Sequence, residues 1–154
     1  MYNEIKGDLI DLALKGKFDV IAHGCNCFNK QKSGIAKQMS KVFDTDAFEL
    51  ETDYYGDINK LGQLEYEDKG NDLTVVNCYT QYKYGKNHKD GDTNPRDYDA
   101  ITLCMRKINH LFKGKHIGLP KIGCGLAGGD WNIVKKIIEH ELKDCDVTVV
   151  IYKK

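Results

Sequence analysis

The sequence predicts an α/β fold with a mixed, mostly parallel sheet covered on both faces. Short apolar runs read as buried strands, amphipathic segments of helical length alternate with them, and the 154-residue length suits one domain, 1–154, with its own core. In chain order, "FDVIAHGCN" begins as an apolar run and ends in small and polar residues, a buried strand running into a loop. "SGIAKQMSKVF" follows as a helix, with Ile35, Met39 and Val42 at helical spacing. Residues 44–72 mix acids and aromatics. They predict some helix within 45–55, then a strand and turn at "GQLEYEDKGN". "LTVVNCYT" is the next buried strand. "NPRDYDAITLCMRKINHLF" is a helix entered through a proline, with Ile101, Cys104 or Met105, Ile108 and Phe112 on its inner side. "KHIGLP" is a short strand, "DWNIVKKIIEHEL" a helix carrying Trp131, Val134, Ile138 and Leu142 on one face, and "DVTVVIYK" a closing strand.

Composition narrows the function. Lys and Arg number 23 and Asp and Glu 23, and no block of like charge reaches five residues, so general attraction to nucleic acid or to a membrane is not indicated. The six cysteines mostly sit inside apolar runs, and "MYNEIKGD" has neither the basic nor the apolar segment of a secretion signal. They read as reduced thiols of a cytoplasmic protein. The "CNC" pair matches no common zinc knuckle, so neither metal nor cofactor is expected.

Two strand-to-helix junctions carry the functional signal, "HGCNCFNKQKSGIA" at 23–36 and "GCGLAGGDW" at 123–131. In an open α/β sheet both face the same edge, where ligands bind. Glycines let the backbone approach a ligand closely, and successive amides at a helix N-terminus attract anions, so a diphosphate fits both loops. Lys30, Lys32 and Lys121 add loose positive charge. Glycine-rich turns also occur where nothing binds, but two at one edge favour a phosphate-bearing ligand. Neither loop has the Rossmann order or the Lys-Ser or Lys-Thr of a P-loop.

These residues resemble the macro domain family, which binds ADP-ribose and its derivatives, over nearly the whole chain. "KGDLIDL" is similar to the family's opening element, which implies that Asp8 accepts from the adenine amino group and that Leu9 donates its amide. "AHGCNC" followed by "SGIAKQM" resembles the segment that places Asn26 at the distal ribose and Ser33, Gly34, Ile35 and Ala36 along the phosphates. "LPKIGCGLAGGDW" resembles the second phosphate loop, with Gly123, Cys124, Gly125 and Leu126 around the diphosphate and distal ribose. The fold implied is a three-layer α/β/α domain.

Within the family the chain resembles the small branch of yeast-type ADP-ribose-1″-phosphate phosphatases and terminal or DNA-linked ADP-ribose hydrolases. It departs from the lysine-type hydrolases, with Thr80-Gln81 where they carry Thr-Lys and Ala127 where their second loop carries an acid; Lys83 stands two residues beyond. The resemblance therefore implies a phosphatase that turns ADP-ribose-1″-phosphate into ADP-ribose and phosphate. The alternatives are a hydrolase acting on ADP-ribosylated DNA or protein and a non-catalytic ADP-ribose-binding module. A monomer without membrane association is expected.

Candidate catalytic residues are His23, Asn26 and Asp130. His23 alone among five histidines adjoins a ligand loop, and its ordinary pKa suits acid–base work, although a histidine buried in its strand fits the same sequence. Asp130 could activate water and is equally a helix N-cap. Tyr82, in "YTQYKYG", could cover a ribose or base, or simply pack.

Overall fold

The strands are β1 (Tyr2–Gly7), β2 (Val20–Asn26), β3 (Leu64–Asp68), β4 (Thr74–Gln81), β5 (His116–Leu119) and β6 (Asp146–Tyr152). The helices are α1 (Leu9–Leu14), α2 (Gly34–Phe43), α3 (Pro95–Leu111) and α4 (Trp131–Glu141). The computed structural model describes residues 1–31, 34–48, 56–82, 95–124 and 129–153. These strands form one sheet in the order β1-β6-β5-β2-β4-β3. Every neighbouring pair is parallel except β3 with β4, which is antiparallel at one edge.

Alternation along the strands decides the layers. On β2, Val20 and Ala22 pack with Ile101, Met105 and Ile108 of α3 and Val134 and Ile138 of α4. The intervening Ile21 joins Leu9, Ile10 and Ala13 of α1 and Met39 and Phe43 of α2. Successive strand side chains point to opposite faces, so both faces need helices, and the result is three layers, α/β/α.

The sequence reading holds for β2, α2, β4, α3, β5, α4 and β6, and for the β3 strand and turn. It assigned no element to the first strand and helix, β1 and α1. The helix expected within 45–55 is a single 3-10 turn, Thr45–Ala47, after which Phe48 is extended. Asp44, left-handed at φ 55°, ends α2 and prevents its continuation. Residues 49–55 lie outside the described ones. In α2 the buried positions are Met39 and Phe43, and Val42, expected inside, is 44 % exposed. All six cysteines are free thiols. Among the described residues no helix is long and apolar enough to cross a membrane.

Candidate functional site

The carboxyl ends of β2, β4, β5 and β6 open on one edge of the sheet, and a cleft of about 1090 Å³ runs along it. Its charged lining includes Asp8, Asp11, Lys30, Lys37 and Lys121. Asp8 stands where β1 turns into α1, and its Oδ1 accepts from the Asp11 amide at 3.1 Å. That cap fixes the carboxylate at the cleft wall. Leu9 is buried beside it, and its amide is one of the first-turn donors with no acceptor inside the helix. Asp8→Ala should remove both the cap and the polar group: stability falls by about 1 kcal/mol in denaturant titration, and ADP-ribose affinity falls by roughly tenfold in calorimetry. Unchanged affinity would take Asp8 out of the ligand site.

The first junction is shaped by a register shift. Cys25 pairs with Tyr79 and the next residue, Asn26, with Gln81, so Thr80 is an extra residue in β4. Asn26 then pins the loop. Its Oδ1 accepts from the amides of Phe28 at 3.0 Å and Lys30 at 3.1 Å, while its Nδ2 donates to the Lys30 carbonyl at 2.9 Å. It lines the cleft and is largely committed to this turn. Gly34, Ile35 and Ala36 open α2 at the cleft, and the first turn of α2 holds no acid. The unpaired amides and helix dipole there favour an anion. Ser33 lies outside the described residues.

The second junction follows β5. Pro120 to Cys124 line the cleft, and the Gly129 amide donates to the Gly123 carbonyl at 2.9 Å, closing the loop on itself. Gly125 and Leu126 lie outside the described residues. Asp130 caps α4, its Oδ1 accepting from the Asn132 amide at 2.9 Å, while its own amide donates to the Tyr98 hydroxyl at 3.1 Å. Asp130 does not line the cleft, but it lies close enough to Cys124 to raise that thiol's pKa. Burial is the larger cause and pushes Cys124 up to about 11, so at neutral pH it is a thiol rather than a nucleophilic thiolate.

Two expectations are corrected. His23 is fully buried and does not line the cleft. Its Nε2 stands 2.7 Å from Asn77 Oδ1, and Asn77 Nδ2 donates to the Thr45 carbonyl at 2.8 Å. Asn77 therefore offers only an acceptor, Nε2 carries the proton, and burial lowers the pKa to about 4. A neutral ring bonded inside the core has no route to a proton in the cleft. Tyr82 stacks obliquely on Phe28, ring centroids 5.2 Å apart, and also lies off the cleft.

Other cleft residues escaped the sequence reading. Gly24, Thr80 and Gln81 form part of its floor, and Leu14, Val42 and Tyr152 line it while remaining 61 %, 44 % and 70 % exposed. Val42 carried a usable signal, an apolar residue beside the buried Phe43 at the helix end. Among the described residues no group of three or more His, Cys, Asp or Glu side chains is placed to hold a metal ion.

No family model matches the chain. A protein of Enterobacteria phage T4, described as an uncharacterized 17.5 kDa protein in the tk-vs intergenic region, is 34% identical over 155 residues, 95% of this chain and 93% of its own length. The ADP-ribose glycohydrolase OARD1 of Homo sapiens is 24% identical over 151 residues, 96% of this chain and 88% of its own. The macrodomain of Mycobacterium tuberculosis DarG has the same fold, with TM-score 0.69 at 21% identity over 100% of this chain and 98% of that one. The chain has the macrodomain fold. A Trypanosoma brucei macrodomain in complex with ADP-ribose also superposes, with TM-score 0.67 at 15% identity over 99% of this chain and 64% of that one.

Proposed function

We propose that this chain is a macro domain that binds ADP-ribose along the cleft and hydrolyses the terminal phosphate of ADP-ribose-1″-phosphate. The observation that carries the reading is the convergence of Asp8, the α2 N-terminus and the Gly123–Cys124 turn along one cleft. An elongated ligand with a base at one end and a diphosphate in the middle matches that order of carboxylate, helix amides and glycine-bearing turn. In the reaction, water attacks phosphorus, the bond to the ribose oxygen breaks, that oxygen takes up a proton from solvent to leave as the hydroxyl of ADP-ribose, and the loop amides stabilise the phosphoryl oxygens. Asp130, exposed at the start of α4 and outside the cleft lining but beside the cleft residue Cys124, is the carboxylate assigned to take the water proton from the rim, and Asn26 serves by holding the loop in place. His23 has no part in proton transfer.

A second reading, release of ADP-ribose from modified DNA or protein, is favoured by the likeness to the human glycohydrolase along 96% of the chain. Against its lysine-type form, Gln81 lines the cleft where those enzymes carry lysine, and an amide forms no imine with an opened sugar. Parallel assays on ADP-ribose-1″-phosphate, ADP-ribosyl DNA and ADP-ribosyl protein decide between them. Phosphate released from the first, with micromolar ADP-ribose binding by calorimetry, is the expected result. ADP-ribose released from the DNA or protein substrate alone would replace the phosphatase with the hydrolase, and binding without turnover would leave a reader.

A further inference from the structure

We propose that the Thr80 hydroxyl, set at the β4 bulge against Gly24, is a substrate-contacting group at the distal end of the cleft. The inference deepens the ADP-ribose reading and rests on it. Thr80 is 2 % exposed and lines the cleft, yet among the described residues its Oγ1 has no hydrogen-bond partner. Other buried threonines are satisfied: Thr45 donates to Gln31 Oε1, and Thr148 donates to Asn3 Oδ1 at 2.7 Å. A buried hydroxyl without a partner costs stability, so its retention calls for a partner that arrives from outside the chain.

Local geometry supplies the access. Thr80 is the residue of β4 left without a counterpart on β2 when the register shifts between Cys25 and Asn26, and such bulges re-aim a side chain. Gly24 faces it from β2. A Cβ on Gly24 would stand 2.8 Å from Thr80 Oγ1 and 3.2 Å from Ile122 Cγ1, so any side chain there would press on the hydroxyl and cover it. Gly24, Asn26 and Gln81 line the same end of the cleft. The hydroxyl lies in the floor, not on a projecting arm, so it meets an oxygen that seats deeply against the bulge. The distal ribose hydroxyls, or the phosphoryl group they carry, supply such an oxygen, and the hydroxyl can donate to either.

The test uses Thr80→Val, which keeps the shape and removes the hydroxyl, and Thr80→Ser, which keeps the hydroxyl. ADP, which lacks the distal ribose, serves as the control ligand beside ADP-ribose. Thr80→Val should bind ADP-ribose roughly tenfold more weakly, bind ADP as the wild type does, and melt no lower than the wild type, because an unsatisfied group has been removed. Thr80→Ser should recover most of the ADP-ribose affinity. Thr80→Val with wild-type ADP-ribose affinity overturns the proposal alone. So does a variant that melts lower and loses both ligands together, since that is a structural hydroxyl. A wild type that binds ADP but gains nothing from the distal ribose also overturns it, whereas a wild type that binds neither nucleotide removes the ADP-ribose reading and this proposal with it.

Discussion

Replacing Gly129 by alanine should lower ADP-ribose affinity by at least roughly a hundredfold while the far-UV spectrum stays native. The Gly129 amide donates to the Gly123 carbonyl, and a Cβ on Gly129 would stand 2.5 Å from that same oxygen. Both atoms belong to backbone, so no rotamer relieves the overlap. The turn must open, and Gly123 and Cys124, which line the cleft, move with it. Stability should fall by about 1–3 kcal/mol, the usual range for one local clash. Gly70→Ala is the control. Gly70 has a positive φ, +85°, and lies in the turn between β3 and β4 with nothing within 4 Å of an added Cβ. It should cost some stability and leave the ligand alone. Normal ADP-ribose binding by Gly129→Ala would mean that this loop serves the fold and not the ligand.

What could be read in advance follows from which residues act through periodicity and which through their surroundings. The α3 pattern of Ile101, Met105 and Ile108 and the α4 pattern of Val134 and Ile138 place their helices unambiguously, because each buried position is set by helical repeat alone. β1 escaped because Tyr2–Gly7 has only exposed and half-buried positions and carries Glu4 and Lys6, a composition that becomes a strand only by pairing with β6. That Gly34–Ala36 line the cleft was legible from the strand-to-helix junction that holds them, whereas Asp8 was singled out by the resemblance of "KGDLIDL" alone. Thr80 was not, since a threonine near a strand end looks ordinary until the register of two strands is known. His23 failed in the opposite sense: adjacency to a ligand loop in sequence says nothing about how deep in the sheet a side chain lies. His23 shares its face of β2 with Ile21 and Cys25, and where Cys25 near the strand's end lines the cleft, His23, two residues earlier, is closed in beside Asn77.

The placement of His23 predicts a dependence on acid that a cleft residue would not show. Burial holds the folded-state pKa at about 4, below the ordinary value of 6.5, so between those two pH values the unfolded chain binds more protons at this position than the folded one. Its contribution therefore favours folding above about pH 6.5, erodes as pH falls through that value, and levels off below about pH 4, a total of about 3 kcal/mol. His23→Gln keeps an amide donor for Asn77 Oδ1 and cannot titrate in this range. Denaturant titrations from pH 7 to pH 4 should show the wild type losing more stability than His23→Gln by about that amount, although the variant starts lower at pH 7 because the ring volume is lost. Carboxylates titrate in both proteins and cancel in the difference. At pH 7, turnover per folded molecule should be unchanged. Parallel stability profiles would show that the folded histidine accepts a proton as readily as the unfolded one, contradicting its burial. A fall in turnover of roughly ten- to ten-thousandfold with ADP-ribose affinity kept would return His23 to the reaction as its proton carrier.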